Sequence, residues 1–201
     1  MTATPLARTP RAELDPRFHL AWDTLNRLTG EPAFVEAFAA NPAMLNFVMN
    51  DFYAGIFFGG NVPQRYKQLA RLELSLLHGC RTCNKQNVPG ALEAGITQAQ
   101  VDAMLDFEHG PFTEAEKAVI AYAREVALTN PEGRVTPELF RRLALHFSQA
   151  DILELGVTMA IISGMAKLSF VLDLVEKEPY CPFAAADSAT ANPSSASSPS
   201  A

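Results

Sequence analysis

The sequence predicts an all-helical protein. Apolar residues recur at three- and four-residue steps along most of the chain, and no segment shows the sustained alternation of a strand. Hydrophobic residues make up 48% of the 201 residues, enough for a sizeable core in one domain. The longest apolar run lies towards the C-terminal end. We therefore expect a compact multi-helix domain that includes a long apolar C-terminal helix.

The two ends of the chain differ in composition from the rest. Residues 184–201 consist mainly of Ala, Ser and Pro and include no large apolar side chain, and the first residues resemble them. Such segments bury too little apolar surface to offset the entropy lost on ordering. We expect residues 1–12 and 184–201 to be disordered and residues 13–183 to form the helical domain.

Helices before residue 63 are predicted from spacing and from turn residues. Apolar residues at helical spacing predict a helix over residues 16–29 that Gly30 ends, followed by a short helix over 34–39. Asn41 then caps a helix that has Pro42 in its first position. That helix is expected to bury Leu45, Val48, Phe52 and Ile56.

The remaining helices carry clearer start and stop signals. Residues 63–78 end at Gly79, and residues 80–93 contain Pro89, where a kink is expected. Capping boxes at Thr97 and Thr113 predict helices to about 107 and 128. Two more helices are predicted, over 136–146 and over 150–176, with a break at Gly164 left open.

The last predicted helix is apolar on nearly every side. Its uncharged run, residues 155–166, is shorter than the roughly 20 residues that a membrane span needs. We expect this helix to be partly the centre of the core and partly one half of a subunit interface.

Charge and cysteine content exclude several classes of protein. The net charge is −6 and the 16 basic residues are scattered, which argues against nucleic-acid binding. An odd count of 3 cysteines argues against a secreted disulfide framework. No apolar run follows the first Met, so no signal peptide is predicted. We expect a cytoplasmic protein that binds no membrane.

The chemistry is expected at Cys80 and Cys83. Two thiols three residues apart at a helix start can form and reopen a disulfide, and the helix N-terminus favours a thiolate. Two alternatives stay open. Both cysteines could be ordinary buried residues, or they could bind zinc together with His78 and Cys181, although no second paired motif supports a metal site. No cofactor is expected.

Five segments around this pair resemble a known family. They are residues 71–83 (RLELSLLHGCRTC), 88–89 (VP), 91–97 (ALEAGIT), 112–118 (FTEAEKA) and 151–155 (DILEL). Together they resemble the carboxymuconolactone decarboxylase superfamily, in particular its alkylhydroperoxidase D-like branch. The resemblance implies an all-helical fold and a homo-oligomer, a trimer or a hexamer. It also implies that Cys83 attacks a hydroperoxide, that Cys80 resolves the product, and that an external thiol or lipoyl-type reductant regenerates the pair.

Two positions depart from the family pattern. The family's Glu and His, which relay a proton, are replaced by Gln68 and Asn87. Neither amide exchanges a proton near neutral pH, although both can form hydrogen bonds. A free thiol is already a few per cent thiolate at pH 7, so full ionisation would add only about thirty-fold. His78 is a candidate substitute base, or it closes the end of its helix, where the dipole favours a positive charge.

Three functions follow from these observations. The first is a thiol-dependent oxidoreductase that reduces a hydroperoxide or exchanges with a protein disulfide. The second is a non-catalytic helical oligomer with structural or redox-sensing cysteines. The third is a non-redox enzyme similar to the decarboxylase branch, which relies on the acid–base residues that are replaced here. The aromatic residues near residue 55 could line a channel to the cysteines or belong to the core: Phe52, Tyr53, Phe57 and Phe58.

Overall fold

The structure is a computed structural model that describes residues 6–183. The expectations for residues 1–5 and 184–201 lie outside that range. Within it the fold is all-helical, and the only extended pairing is an isolated antiparallel bridge between Cys80 and Lys177. The helices are α1 (His19–Thr29), α2 (Ala33–Phe38), α3 (Pro42–Asn46), α4 (Gln64–His78), α5 (Arg81–Glu93), α6 (Gln98–Asp102), α7 (Glu114–Val126), α8 (Pro137–Ala144) and α9 (Gln149–Val171).

Helix α4 is the centre of the molecule. One of its sides packs with α7, α8 and α9 around Leu74 and Leu155, and another packs with α5 and α7 around Leu69 and Ile120. A third cluster, formed by α1, α2 and α3 around Leu45, covers the N-terminal part of the molecule. Because α4 is enclosed by these helices, its polar residues must be either paired or directed into a cavity.

Two charged residues of α4 are fully buried and both are paired. Lys67 lies 2.6 Å from Glu154 of α9 and also donates to the carbonyl oxygen of Ile56. Glu73 lies 2.5 Å from Arg124 of α7. Burial raises the pKa of the Glu73 carboxyl, and the contact with Arg124 opposes that rise. These pairs connect α4 to its neighbours at defined positions.

The helix that begins at Pro42 changes its winding. Asn41 caps it as predicted, but Phe47–Phe57 form a π-helix in place of the predicted α-helix. A π-helix bonds five residues back, as Phe58 does to Tyr53 at 2.8 Å. This winding buries Phe57 together with Phe52, whereas Ile56, which we expected in the core, is only half-buried.

The N-terminal segment is more ordered than predicted where it is described. The backbone N–H of Thr9 donates to Glu36 at 3.0 Å, and Arg11–Glu13 form a single turn of 3-10 helix. Arg11 pairs with Asp23 of α1 at 2.6 Å. The expectation of disorder over residues 1–12 is therefore wrong for residues 6–12, because backbone and ion-pair contacts attach this segment to α1 and α2.

Helix α9 is continuous through Gly164 and ends at Val171, five residues before the predicted end. Asp173 takes a φ of 52°, and the N–H of Leu174 returns to Ser169, which stops the helix. Residues 172–183 then turn back over the start of α5, and we call them the C-terminal strap.

By length and composition, α9 is the one helix in the described part of the chain that could cross a membrane. Only 33% of its most apolar 18-residue window is buried, although it packs against α4, α7 and α8.

Candidate functional site

Cys80 and Cys83 form a disulfide at the start of α5. Both line a cavity of about 550 Å³ that α1, the π-helix, α4, α5 and α9 enclose. Cys80 is 0% exposed, whereas Cys83 is half-buried. The sulfur of Cys83 is therefore the one that a molecule in the cavity reaches more readily.

Cys80 is also the N-cap residue of α5. Its sulfur accepts a hydrogen bond from the backbone N–H of Cys83 at 3.2 Å. The positive end of a helix stabilises negative charge on a sulfur at this position. The helix start thus favours a thiolate on Cys80, while access favours attack by Cys83.

The C-terminal strap closes the other side of the motif. The carbonyl oxygen of Glu176 accepts from the N–H groups of Arg81 and Thr82, at 3.0 and 3.5 Å. The N–H of Glu178 donates to Gly79 at 2.8 Å, and the Cys181 thiol donates to the carbonyl oxygen of His78 at 2.9 Å. Sequence reasoning missed this segment, because it expected α9 to continue to residue 176.

Four polar residues of α4 share one face and line the cavity. They are Gln68, Arg71, Ser75 and His78, and all are buried. Their spacing of three, four and three residues is that of one side of a helix. The face is continued on α5, where Cys83, Asn87 and Gly90 recur at four and three residues and also line the cavity.

Gln68 and Asn87, the two amides that stand where the family has Glu and His, lie together in this cavity. The Asn87 amide nitrogen donates to the backbone oxygen of Arg71 at 3.4 Å, and its side-chain oxygen has no partner within residues 6–183. The side-chain oxygen of Gln68 is likewise buried without a partner in that range. A Cβ on Gly90 would lie 3.3 Å from the Gln68 amide, so α4 and α5 are in close contact here. The structure brings Gln68 and Asn87 into the cavity that holds Cys83.

His78 is fully buried at the end of α4 and is neutral. Its Nε2 accepts the backbone N–H of Leu128 at 3.0 Å, so the ring proton must be on Nδ1. Burial lowers the pKa of this imidazole to about 4. His78 is therefore a hydrogen-bond donor at neutral pH, with its lone pair already engaged. Its Nδ1 has no partner within the described residues.

The geometry does not favour the zinc alternative. Nε2 of His78 and the thiol of Cys181 are both bonded to backbone groups, and Cys80 and Cys83 are joined to each other. In the part of the chain that the structure describes, no group of three or more His, Cys, Asp or Glu side chains is placed to hold a metal ion.

The aromatic residues divide between the two expected roles. Phe52 and Phe57 are buried in the core, whereas Tyr53 and Phe58 line the cavity. Arg71 lies against this cluster, and sequence reasoning assigned it no role. The spacing of Gln68, Arg71, Ser75 and His78 was the available signal, since it makes a polar stripe on a helix that is otherwise buried.

Comparison with known families finds a match to part of the chain. The model of the carboxymuconolactone decarboxylase family matches residues 42–125, which include the π-helix, α4, the cysteine pair and most of α7. No curated protein matches the chain.

Solved structures share the fold. The debrominase Bmp8, as a cysteine-to-alanine variant in complex with 2,3,4-tribromopyrrole, is 18% identical with a TM-score of 0.71, over 89% of this chain and 94% of that one. Apo Bmp8 gives the same TM-score at 19% identity, over 89% of this chain and 95% of that one. ATU0492 of Agrobacterium tumefaciens, a protein of unknown function described as an antioxidant-defence protein of the AhpD type, is 22% identical with a TM-score of 0.60, over 71% and 94% of the two chains.

Proposed function

We propose that this chain, which a carboxymuconolactone decarboxylase family model matches over residues 42–125, belongs to the alkylhydroperoxidase D-like branch of that superfamily and is a thiol-dependent oxidoreductase that reduces a hydroperoxide. The observation that carries the proposal is the disulfide-forming pair, which opens through Cys83 into a cavity of about 550 Å³. A cavity of this size suits an organic hydroperoxide.

The reaction starts from the reduced pair. The Cys83 thiolate attacks the terminal oxygen of ROOH, the O–O bond breaks, and the leaving alkoxide takes a proton to give ROH. Cys83 is then a sulfenic acid. The Cys80 thiol attacks its sulfur, the S–O bond breaks, and water leaves as the disulfide forms. Two electrons have passed from the two thiols to the peroxide.

An external dithiol, such as a lipoyl group, restores the pair. Its thiolate attacks Cys83, whose sulfur is the more accessible, and Cys80 leaves as the thiolate that the helix start stabilises. The second thiol of the reductant then displaces Cys83. The sulfur of Cys83 is the more accessible one, and the helix start stabilises Cys80 as the leaving group. These two properties support Cys83 as the attacking residue and Cys80 as the resolving one.

Proton transfer at this site has no free titratable side chain among Gln68, Asn87 and His78 to assist it. Gln68 and Asn87 do not titrate, and the ring of His78 has its basic nitrogen bonded to Leu128. We assign supporting roles to these residues as hydrogen-bonding groups. The attacking thiol must ionise without a neighbouring base, so we expect the peroxide reaction to accelerate as pH rises towards the ordinary thiol pKa of about 8.5.

The first experiment counts free thiols after limiting cumene hydroperoxide is mixed with reduced protein. We expect the wild type to lose two thiols per chain and regain them with dithiothreitol. Cys83→Ser should leave the peroxide intact, and Cys80→Ser should stop at a sulfenic acid that dimedone labels. Cys181→Ser is the control and should behave as the wild type, because the Cys181 thiol donates to the carbonyl oxygen of His78. Peroxide that survives all four proteins would leave a structural or redox-sensing role for the cysteines as the better explanation.

A second candidate reaction uses the same two electrons. The likeness to a debrominase extends over 89% of this chain, and aromatic side chains line the cavity beside Cys83. Reduction of a carbon–bromine bond by the two thiols would give R–H, the disulfide and HBr. Release of bromide from 2,3,4-tribromopyrrole by the reduced protein, absent in Cys83→Ser, would support this reaction, whereas unchanged tribromopyrrole would exclude it for that substrate.

We also propose that the protein is cytoplasmic and homo-oligomeric. A disulfide that must be reduced in every cycle suits a reducing compartment. An exposed apolar stripe along α9 supports assembly, and its members repeat at steps of three and four residues: Leu153, Val157, Ala160, Gly164, Leu168 and Val171.

A further inference from the structure

Arg71 is a buried cation without an anionic partner. It is 5% exposed, and its guanidinium carbon lies 5.5 Å from the ring centre of Tyr53 and 5.4 Å from that of Phe57. Within residues 6–183, no carboxylate lies within 4.0 Å of it, and its guanidinium forms no hydrogen bond to them. Lys67 on the same helix differs from Arg71, because it pairs with the carboxylate of Glu154 at 2.6 Å.

A buried charge of this kind is costly unless something compensates it. The two aromatic rings supply part of the compensation through cation–π attraction. Aromatic rings offer no carboxylate or carbonyl oxygen, so the N–H groups of the guanidinium are left without such acceptors among the described residues. Arg71 belongs to the cavity lining, so a molecule in the cavity can supply those acceptors.

The rest of the lining decides what kind of molecule fits. Close to Arg71 the polar side chains are neutral, namely Gln68, Ser75 and Asn87. The carboxylates of the lining are Glu31, which accepts from the Thr82 hydroxyl, and Glu93, which is exposed on the rim. Much of the remaining surface is apolar, including Phe34, Met49, Ile162 and Met165.

We infer that Arg71 binds the carboxylate of the substrate, and that the substrate is an apolar organic hydroperoxide carrying a single carboxylate group. The planar guanidinium matches a carboxylate with two parallel hydrogen bonds. The hydroperoxide part of this inference rests on the proposed function. The carboxylate part rests on Arg71 and its cavity alone.

The positions of Arg71 and the cysteine pair also orient the substrate. Arg71 and His78 are seven residues apart on α4, which is about 10 Å at 1.5 Å per residue, and Cys80 follows two residues later. A carboxylate on Arg71 would therefore leave the apolar chain of the substrate to extend along α4 towards the end that carries the cysteine pair. A dianion such as a phosphate ester would bring a second negative charge for which the neutral residues beside Arg71 offer no cation, and the other arginines of the lining, Arg17 and Arg27, are exposed.

The first test measures binding to the oxidised protein and so does not depend on turnover. Isothermal calorimetry would compare decanoate with decanamide, which differ in charge and little in shape. We expect decanoate to bind at least about tenfold more tightly to the wild type, the usual effect of a charge-assisted hydrogen bond. Arg71→Gln should abolish this preference, and Arg71→Lys, which keeps the charge, should retain part of it. Arg141→Gln removes an exposed positive charge on α8 and should retain all of it.

Two outcomes would overturn the inference. Equal affinities of the wild type for decanoate and decanamide would show that Arg71 does not recognise a carboxylate. Tighter binding of decyl phosphate than of decanoate would show that the site was built for a different anion. Neither result requires any variant to fold.

A kinetic comparison then tests whether the carboxylate contact at Arg71 affects the peroxide reaction. Reduced protein should consume a fatty-acid hydroperoxide with a higher kcat/KM than its methyl ester, and Arg71→Gln should bring the two values together. If neither peroxide is consumed while decanoate binding still depends on Arg71, the proposed reaction fails and the carboxylate site stands. If both are consumed at equal rates by the wild type, the reaction stands and the substrate assignment fails.

Discussion

His78 couples the stability of the protein to pH. Its pKa is lowered by burial from 6.5 to about 4, so the unfolded chain binds a proton more readily than the folded one below pH 6.5. The contribution of the neutral ring to stability is therefore complete above about pH 6.5 and is lost progressively as pH falls towards 4.

This linkage predicts a specific loss of stability. Between pH 7 and pH 5 the wild type should lose about 2 kcal/mol of unfolding free energy through His78, in addition to the effect of other groups. His78→Gln keeps an acceptor for the Leu128 N–H but cannot titrate, so urea denaturation at the two pH values should show a correspondingly smaller loss. His109→Gln alters an exposed ring and should follow the wild type. Equal losses in all three proteins would show that His78 is not held neutral.

The two amides in the cavity allow a gain of activity to be tested. Asn87 lies one helical turn after Cys83 on the same face of α5, so Asn87→His would place a titratable ring beside the sulfur of Cys83, the proposed attacking residue. We expect the double variant Asn87→His with Gln68→Glu to raise kcat/KM for cumene hydroperoxide at pH 7 by up to about thirty-fold. Gln86→His, one position away, is the control for adding a histidine and should gain much less. An unchanged rate in the double variant would show that thiol ionisation does not limit the reaction.

At the scale of the elements, two glycines at helix ends show how closely the strap packs against the end of α4. Gly30 and Gly79 both end helices in the left-handed conformation, with φ of 74° and 61°. A Cβ at Gly30 would meet nothing within 4 Å, whereas one at Gly79 would lie 2.7 Å from the Cα of Cys181. The strap can follow its path only because residue 79 lacks a side chain.

The matched variants Gly30→Ala and Gly79→Ala measure how much unfolding free energy depends on this close contact. Both variants should lose about 1 kcal/mol because alanine is strained at positive φ. Gly79→Ala must also displace the strap, so we expect its total loss to reach about 3 kcal/mol or more by urea denaturation. Similar losses in the two variants would mean that the strap yields easily.

The elements also show why some features could be predicted from sequence and others could not. Asn41, Thr97 and Thr113 cap their helices as predicted, because a cap depends on residues within one turn. The π-helix at Phe47–Phe57 was not predicted, since the choice of Phe57 over Ile56 as the buried residue depends on neighbours distant in sequence. The early end of α9 was missed for the same reason: the strap that follows it contacts the start of α5, where Glu176 bonds Thr82, 94 positions earlier.

Across the whole molecule, the site could be predicted only in part. Cys80, Cys83, Gln68 and Asn87 were found from spacing and resemblance, and the structure brings all four to one cavity. Arg71 was not found, because a lone arginine in a helix is most often an exposed or paired residue. Its isolation becomes visible only when Tyr53, Phe57 and the cavity are assembled around it.

Assembly is the prediction that belongs to the whole molecule. Val157 is 49% exposed in the middle of the α9 stripe, where a charge would be buried on association. Val157→Glu should lower the mass measured by light scattering to that of a smaller species, without unfolding the chain. Leu145→Glu alters an apolar residue that is 79% exposed at the end of α8 and should keep the wild-type mass. Unchanged mass in both variants would place any subunit contact elsewhere.

The strap also sets a sequence of events during synthesis. The Thr82 hydroxyl bonds the backbone of Glu176, which is added 94 residues later. At about 5–20 residues per second, the ribosome needs some 5–20 seconds to supply it. Throughout that interval the nascent chain carries its thiols before the segment that encloses them exists. The pair therefore stays uncovered until residues 172–183 have been synthesised and the strap has packed against the start of α5.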